Sequence, residues 1–242
     1  MAGFVDAIVG GGGLIQTPAA LILLPQLPVA TVIGSLKIPS FSGTFFAAKQ
    51  YVKQVEINWK RISLMCFIAF IASFSGSYLL TQMSNRFMKP IILIVLVLVA
   101  IYSFSKKNFG QHKLEQHAEK KIILLASLFS LFIGFYDGFI GPGAGSFLVV
   151  AFISLLGFDF LHASAHAKLI NLATNLGSIL LFFMKGHILW QVAIPMAICN
   201  ALGGIIGAKM AIAKGNRFIR IIFLIVVLAT LFRFSYDVFW KS

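Results

Sequence analysis

Four charged side chains interrupt otherwise apolar stretches of this sequence: Asp6, Lys37, Asp137 and Lys168. Acid and base alternate, and the second pair lies 131 positions after the first. A charge at membrane depth costs about 3 kcal/mol or more, so such residues are functional candidates by default. Two hypotheses stay open. The four form two structural ion pairs, or the lysines bind an anionic substrate while Asp6 and Asp137 orient them or relay a proton.

A glycine-rich turn follows each aspartate. The first turn consists of Gly10, Gly11, Gly12 and Gly13, and the second contains Gly141, Gly143 and Gly145 with a proline between them. Glycine and proline do not hold a regular helix, so each turn is predicted to break the helix that carries the aspartate. A broken helix presents free N–H groups and a positive dipole end, which suit an oxyanion. Alternatively, the glycines allow close helix packing, and the two roles can coexist.

Polar residues recur on one face of an apolar helix near each lysine. They lie three or four residues apart, so they share a face that must meet protein or water rather than lipid. Ordinary hydrogen bonding between helices is the alternative to substrate binding. The stripe is Lys37, Ser40 and Thr44 in the first half of the chain, and Lys168, Asn171 and Asn175 in the second.

The composition is that of a membrane protein. Of 242 residues, 59% are hydrophobic and only 11% are charged, against about 25% charged in soluble domains. The net charge of +13 does not indicate nucleic-acid binding, because the basic residues cluster between apolar segments as in membrane loops. We therefore predict a multi-pass protein whose main partner is the lipid bilayer, with no nucleic-acid partner.

The sequence repeats itself. Residues 1–111 align without a gap with 132–242, and the matches include Lys37 with Lys168 and Trp59 with Trp190. Internal duplication is typical of secondary transporters, whose sites lie between the repeats. We predict an all-α integral membrane protein with a single membrane domain, 1–242, in which repeats 1–105 and 122–238 are joined by a polar linker, 106–121.

Each repeat is predicted to contain four spans, giving about eight transmembrane helices, with the first of each repeat broken at its glycine turn. Four spans per repeat give both repeats the same orientation. If the short arm after each turn also crosses, the count becomes odd and the repeats are inverted. With four spans, the side richer in Lys and Arg, with both termini, is expected to be cytoplasmic. The segments are about 1–25, 29–50, 61–82, 88–105, 122–156, 161–184, 190–213 and 218–238.

These residues resemble the TauE/SafE family of sulfite and sulfonate exporters. The similarity covers essentially the whole chain, and the family usually has Thr-Asn-Lys where this chain has Ser35-Leu36-Lys37. The resemblance implies an inner-membrane permease for sulfite, an organosulfonate or a related small oxyanion. It is carried by Ala2-Gly-Phe-Val-Asp-Ala-Ile-Val-Gly-Gly-Gly-Gly13 with Pro18, Gly34-Ser-Leu-Lys37, Gly43-Thr44, and His166-Ala-Lys-Leu-Ile-Asn-Leu-Ala-Thr-Asn175.

Other functions receive less support from the sequence. We find no GxSxG, HExxH or acidic metal motif, so we predict that the protein is not an enzyme and needs no cofactor. His162 and His166 have metal-ligand spacing, but only Asp159 lies near them, and local polarity at a helix end explains them better than a metal. Cys66 and Cys199 are expected to be buried, inert thiols. An enzyme acting on lipid phosphates and a non-transporting membrane scaffold or assembly protein remain alternatives.

The first repeat is shorter at its start than the second. Twelve apolar residues, 122–133, precede Gly134, whereas only Met1 and Ala2 precede the equivalent Gly3. The missing length is about 15 Å of helix at 1.5 Å per residue. We expect the natural start to lie upstream, with a short first helix as the alternative.

Overall fold

The computed structural model describes residues 1–88, 91–92 and 119–240, and within these ranges the regular secondary structure is helical. Most helices begin or end at the glycine and proline positions that the sequence supplies. The helices are α1 (Ala2–Val9), α2 (Gly12–Leu23), α3 (Val29–Tyr51), α4 (Trp59–Gln82), α5 (Glu119–Phe139), α6 (Ala144–Leu156), α7 (Phe160–Met184) and α8 (Trp190–Trp240), the last interrupted by non-helical geometry at Gly215.

Three of these segments are long and apolar enough to cross a membrane: α4, α7 and the Trp190–Gly215 part of α8. Helix α3 has a comparable length of 23 residues and carries the buried Lys37 in its interior. These lengths match the roughly 20 residues that a bilayer core requires. The predicted all-helical membrane protein agrees with this architecture.

Both glycine turns reverse the chain. Helix α1 ends at Gly10, whose left-handed φ of 73° turns the backbone, and a methyl group on Gly12 would lie 2.7 Å from the Ala2 carbonyl oxygen. At the second turn, Gly141 and Gly143 have φ values of 94° and 84°. Each glycine turn therefore forms the tip of a helical hairpin, where the sequence led us to expect a break within one span.

Aromatic contacts show the reversal in the second hairpin. The rings of Tyr136 and Phe147 have centroids 5.6 Å apart, and those of Phe129 and Phe152 lie 5.3 Å apart. Residue numbers fall along α5 as they rise along α6, so α6 packs back along α5.

In the first hairpin, the direction of each helix follows from its contacts with α3. Thr44 of α3 contacts Asp6 of α1, and the later Tyr51 donates to the Ala7 carbonyl, so α1 runs in the direction of α3. Gln16 of α2 contacts Ser40, while the later Leu21 packs against the cluster that includes Val32 and Leu36, so α2 runs in the opposite direction.

The lysine-bearing helices α3 and α7 are antiparallel. A methyl group on Gly34 would meet the Phe182 side chain at 2.8 Å, whereas Thr44, further along α3, contacts the earlier Asn171 of α7. These two helices occupy equivalent places in the sequence alignment of the two halves. Their opposite directions therefore bear on how the halves are related.

The halves interlock through matching glycine contacts. Gly3 of α1 packs on Asn200 of α8, and Gly134 of α5 packs on Ala69 of α4. The two contacts are equivalent, because Gly134 lies 131 positions after Gly3 and Asn200 lies 131 positions after Ala69. At the hairpin tips, a methyl group on Gly10 would lie 2.3 Å from the carbonyl carbon of Gly145. Only glycine permits this approach, which brings the two tips together.

Candidate functional site

Two crossed ion pairs lie at the hairpin tips. Lys37 Nζ is 2.9 Å from Asp137 Oδ1, with both side chains about nineteen-twentieths buried. Lys168 Nζ is 2.8 Å from Asp6 Oδ2, and here the lysine is 2% exposed and the aspartate 16%. Each lysine of one half therefore binds the aspartate of the other half.

Each lysine also caps a helix. Lys37 Nζ donates to the main-chain carbonyl of Asp137 at 2.5 Å, and Lys168 Nζ donates to the main-chain carbonyl of Asp6. Both carbonyls lie in the last turn of a helix, α5 and α1 respectively. The Asp6 carbonyl already accepts from the Gly10 N–H at 2.8 Å, so Lys168 is a second donor there. A cation at each position offsets the negative dipole end of its helix, so each lysine anchors a hairpin through the main chain as well as through the carboxylate.

Thr44 and Asn171 connect the two ion pairs. The Thr44 hydroxyl lies 3.1 Å from Asp6 Oδ2 and 3.3 Å from Asn171 Oδ1. The Asn171 amide donates to Asp137 Oδ2 at 3.1 Å. The two polar stripes predicted on α3 and α7 therefore meet between the aspartates, and the four charges form one hydrogen-bonded cluster.

The two carboxylates have different surroundings. Asp137 is bound at both oxygens, by Lys37 at Oδ1 and by Asn171 and the Thr174 hydroxyl at Oδ2. Asp6 is bound by Lys168 and Thr44 at Oδ2 alone. Within the part of the chain that the structure describes, Asp6 Oδ1 has no hydrogen-bond partner, and Asp6 is the more exposed of the two acids.

A small cavity lies beside this cluster, with about 40 Å³ of room for the centres of water molecules. By that measure one water needs about 10–15 Å³, so the cavity has space for roughly three waters or a small oxyanion. Of the predicted site residues, Gly11, Gly12, Thr44 and Lys168 lie outside its lining. Its walls include ten predicted residues: Asp6, Gly10, Gly13, Lys37, Asp137, Gly141, Gly143, Gly145, Asn171 and Asn175.

Two helix N-termini flank the cavity. Helix α2 begins at Gly12, and α6 begins at Ala144 after Gly143. First-turn N–H groups have no carbonyl partner within their own helix, and they carry the positive end of the dipole. Gly13 and Gly145 line the cavity, so the N-termini of α2 and α6 contribute positive potential to it. The two ion pairs beside the cavity have no net formal charge.

Sequence reasoning missed several polar residues near the site. Gln16 and Thr17 line the cavity, Thr174 binds Asp137, and Asn200 binds Gln16. All four are buried. Their signal was an uncharged polar side chain within an apolar helix, which must find a partner because lipid offers none.

Comparison with known proteins gives the family. A family model described as sulfite exporter TauE/SafE matches residues 1–234. A Haemophilus influenzae protein named probable membrane transporter protein is 34% identical over 240 residues, covering 99% of this chain and 92% of the relative. One from Escherichia coli K12, probable membrane transporter protein YfcA, is 30% identical over 239 residues, covering 98% and 87%. No solved structure matches the chain. Because the family match extends over nearly the whole sequence, this chain belongs to the TauE/SafE sulfite exporter family.

Proposed function

We propose that this protein is an inner-membrane permease that carries sulfite, an organosulfonate or a related small oxyanion. The observation that carries the proposal is the small cavity at the hairpin tips, where Lys37 and the starts of α2 and α6 converge. Ammonium and backbone N–H groups are donors that match the oxygens of such an anion. The relatives named as membrane transporters support transport as the general activity.

The charge balance of the site favours coupling to protons. Two lysines and two aspartates leave the cluster formally neutral, so an anion entering it adds a net negative charge in a poorly solvated place. Proton uptake on Asp6, whose Oδ1 is unengaged among the described residues, would cancel that charge. It would also loosen Lys168 from its carboxylate, so that the lysine can attract the anion.

We further propose that the two halves form inverted repeats. The equivalent helices α3 and α7 run antiparallel, as Gly34 with Phe182 and Thr44 with Asn171 indicate. The hairpins then enter from opposite faces and meet at Gly10 and Gly145. Such an arrangement supports alternating access, because an exchange of conformation between the repeats moves the opening from one face to the other.

The basic residues favour one orientation in the membrane. With inverted halves, the end of α3 and the start of α4 lie on the same face as the end of the Trp190–Gly215 segment. The opposite face has Arg86 and Lys185 among the described basic residues. The first face holds Lys49, Lys53, Lys60, Arg61, Lys209 and Lys214. By the positive-inside rule, the first face is cytoplasmic. Lys53 and Lys185 then lie on opposite faces of the membrane, whereas eight spans would place both on the same face.

A flux assay tests the proposed function. Purified protein in liposomes is expected to take up radiolabelled sulfite faster than protein-free liposomes, and an imposed inward proton gradient is expected to increase the rate. Taurine and sulfoacetate are tested in the same preparation. If no member of the panel moves at any pH, the transporter proposal fails and the scaffold alternative is favoured.

A further inference from the structure

Gln16 lies at the α2 side of the cavity and belongs to neither ion pair. It is 6% exposed and lines the cavity together with Ser40. A buried amide in an apolar helix needs partners on both its oxygen and its nitrogen. We infer that Gln16 is a binding residue that donates an N–H to the transported oxyanion, and that Asn200 fixes its orientation. The inference rests on the proposed function.

A chain of hydrogen bonds sets which end of the Gln16 amide faces the cavity. The chain begins at the main-chain N–H of Gly3, which can only donate, and it lies 2.9 Å from Asn200 Oδ1. The Asn200 nitrogen therefore faces Gln16 Oε1, at 3.1 Å. With its oxygen occupied, Gln16 directs Nε2 to Ser40, 2.5 Å away, on the cavity wall.

One N–H group of the Gln16 amide nitrogen remains available to a ligand. An amide nitrogen carries two N–H groups, and Ser40 uses one of them. The second N–H is left for a group in the cavity that Gln16 lines. Asn200 lies outside this cavity. It lines a smaller neighbouring one, which Gln16 and Ser40 also line, so Asn200 is a positioning residue that acts through Gln16.

This donor exists on one side of the site only. The position equivalent to Gln16 in the second half is Phe147, which packs against Tyr136, and the position equivalent to Asn200 is Ala69. The cavity therefore has a charged centre at Lys37 and an uncharged donor on the α2 side. A sulfur oxyanion whose oxygens diverge from one atom can accept from both directions at once, which fits sulfite and the head group of a sulfonate.

Kinetics of four variants in liposomes test the assignment with sulfite as the probe. Gln16→Met keeps the length but removes the donor, and it is expected to raise KM about tenfold, as for loss of one hydrogen bond to a charged group. Asn200→Ala is expected to raise KM less, because Gln16 can then rotate. In the double variant, Asn200→Ala should add nothing, since it acts through Gln16. Gln82→Met, at the exposed end of α4, is the matched control and should leave KM unchanged.

Several results would overturn the inference. An unchanged KM for Gln16→Met would remove Gln16 from the anion site, and an undiminished Asn200→Ala effect in the Gln16→Met background would show that Asn200 acts elsewhere. If Gln16→Met does not fold, Gln16→Asn keeps the amide but shortens the reach, and an unchanged KM there would count equally against the idea. Absence of flux in the wild type for every anion of the panel would instead contradict the proposed function.

Discussion

Lys37 Nζ lies 2.9 Å from Asp137 Oδ1, and the two residues are 100 positions apart in the chain. Of the two aspartates, Asp6 is the nearer to Lys37 in sequence, but it is bound by Lys168 instead. Each hairpin tip is thus held by the long helix of the other half. Each ion pair joins a hairpin tip of one half to a lysine of the other half. Movement of a tip therefore disturbs a contact with the other half, and the conformations of the two halves can be coupled through these ion pairs.

Lys168→Met is expected to abolish sulfite flux while the protein still inserts. The change removes the cation that binds Asp6 and leaves a partly exposed carboxylate, 16% accessible, without its partner. We therefore expect a loss of stability below the roughly 3–5 kcal/mol seen when one partner of a fully buried pair is removed. Flux in liposomes and thermal unfolding in detergent provide the two readouts. Adding Asp6→Asn should restore most of the stability but none of the flux. Wild-type flux in Lys168→Met would show that the lysine has only a structural role.

Asp6→Asn and Asp137→Asn are expected to differ. Asp137 accepts hydrogen bonds at both oxygens from three side chains, so Asp137→Asn replaces an acceptor with a donor facing other donors. We expect it to lower stability by about 2 kcal/mol or more. Asp6→Asn should fold better and should lose the stimulation of flux by an imposed proton gradient. The comparison is made by thermal unfolding and by uptake at two external pH values; a proton response that survives Asp6→Asn would exclude Asp6 as the coupling group.

Gly10→Ala and Gly186→Ala separate crowding at the hairpin tips from backbone strain. Both glycines have positive φ, 73° and 70°, so each alanine adds a conformational cost of about 1 kcal/mol. At Gly10, the new methyl group would collide with the backbone of Gly145. At Gly186, no described atom beyond its own chain neighbours lies within 4 Å of the position that the methyl group would take. We expect Gly186→Ala to retain flux and Gly10→Ala to lose it. Equal behaviour of the two variants would show that the contact between the tips is unimportant.

The sequence was sufficient to predict a helical membrane protein and to select Asp6, Lys37, Asp137 and Lys168, because charge inside an apolar segment is a local signal. It could not say which lysine pairs with which aspartate. Ion pairs within a half and ion pairs between the halves would neutralise the same four charges. Which pairs form depends on how α3 and α7 pack against the hairpins.

The reversal at the glycine turns was also beyond the sequence. Glycine permits a break, but a continued span and a hairpin use the same residues. The backbone angles at Gly141 and Gly143 and the packing of α6 on α5 distinguish the two. Gln16 escaped notice for a different reason. It has no polar counterpart in the second half, where Phe147 stands at the equivalent position, so the internal repeat gives no signal for it.

The orientation of the halves can be tested by labelling two engineered cysteines. The expectation that both cysteines are buried is wrong, because Cys199 is exposed and Cys66 is partly exposed, so both are first replaced by serine. Lys53→Cys and Lys185→Cys then each put one thiol at an exposed position, in the loop after α3 and in the loop after α7. The substitutions are matched, since each removes one lysine. Inverted halves place the two loops on opposite faces, and the distribution of Lys and Arg makes the Lys53 face cytoplasmic. A membrane-impermeant maleimide applied to intact cells should therefore label Lys185→Cys and spare Lys53→Cys, while inside-out vesicles should give the reverse. Labelling of both positions from the same side would support eight spans and two halves of the same orientation, and it would contradict the inverted arrangement.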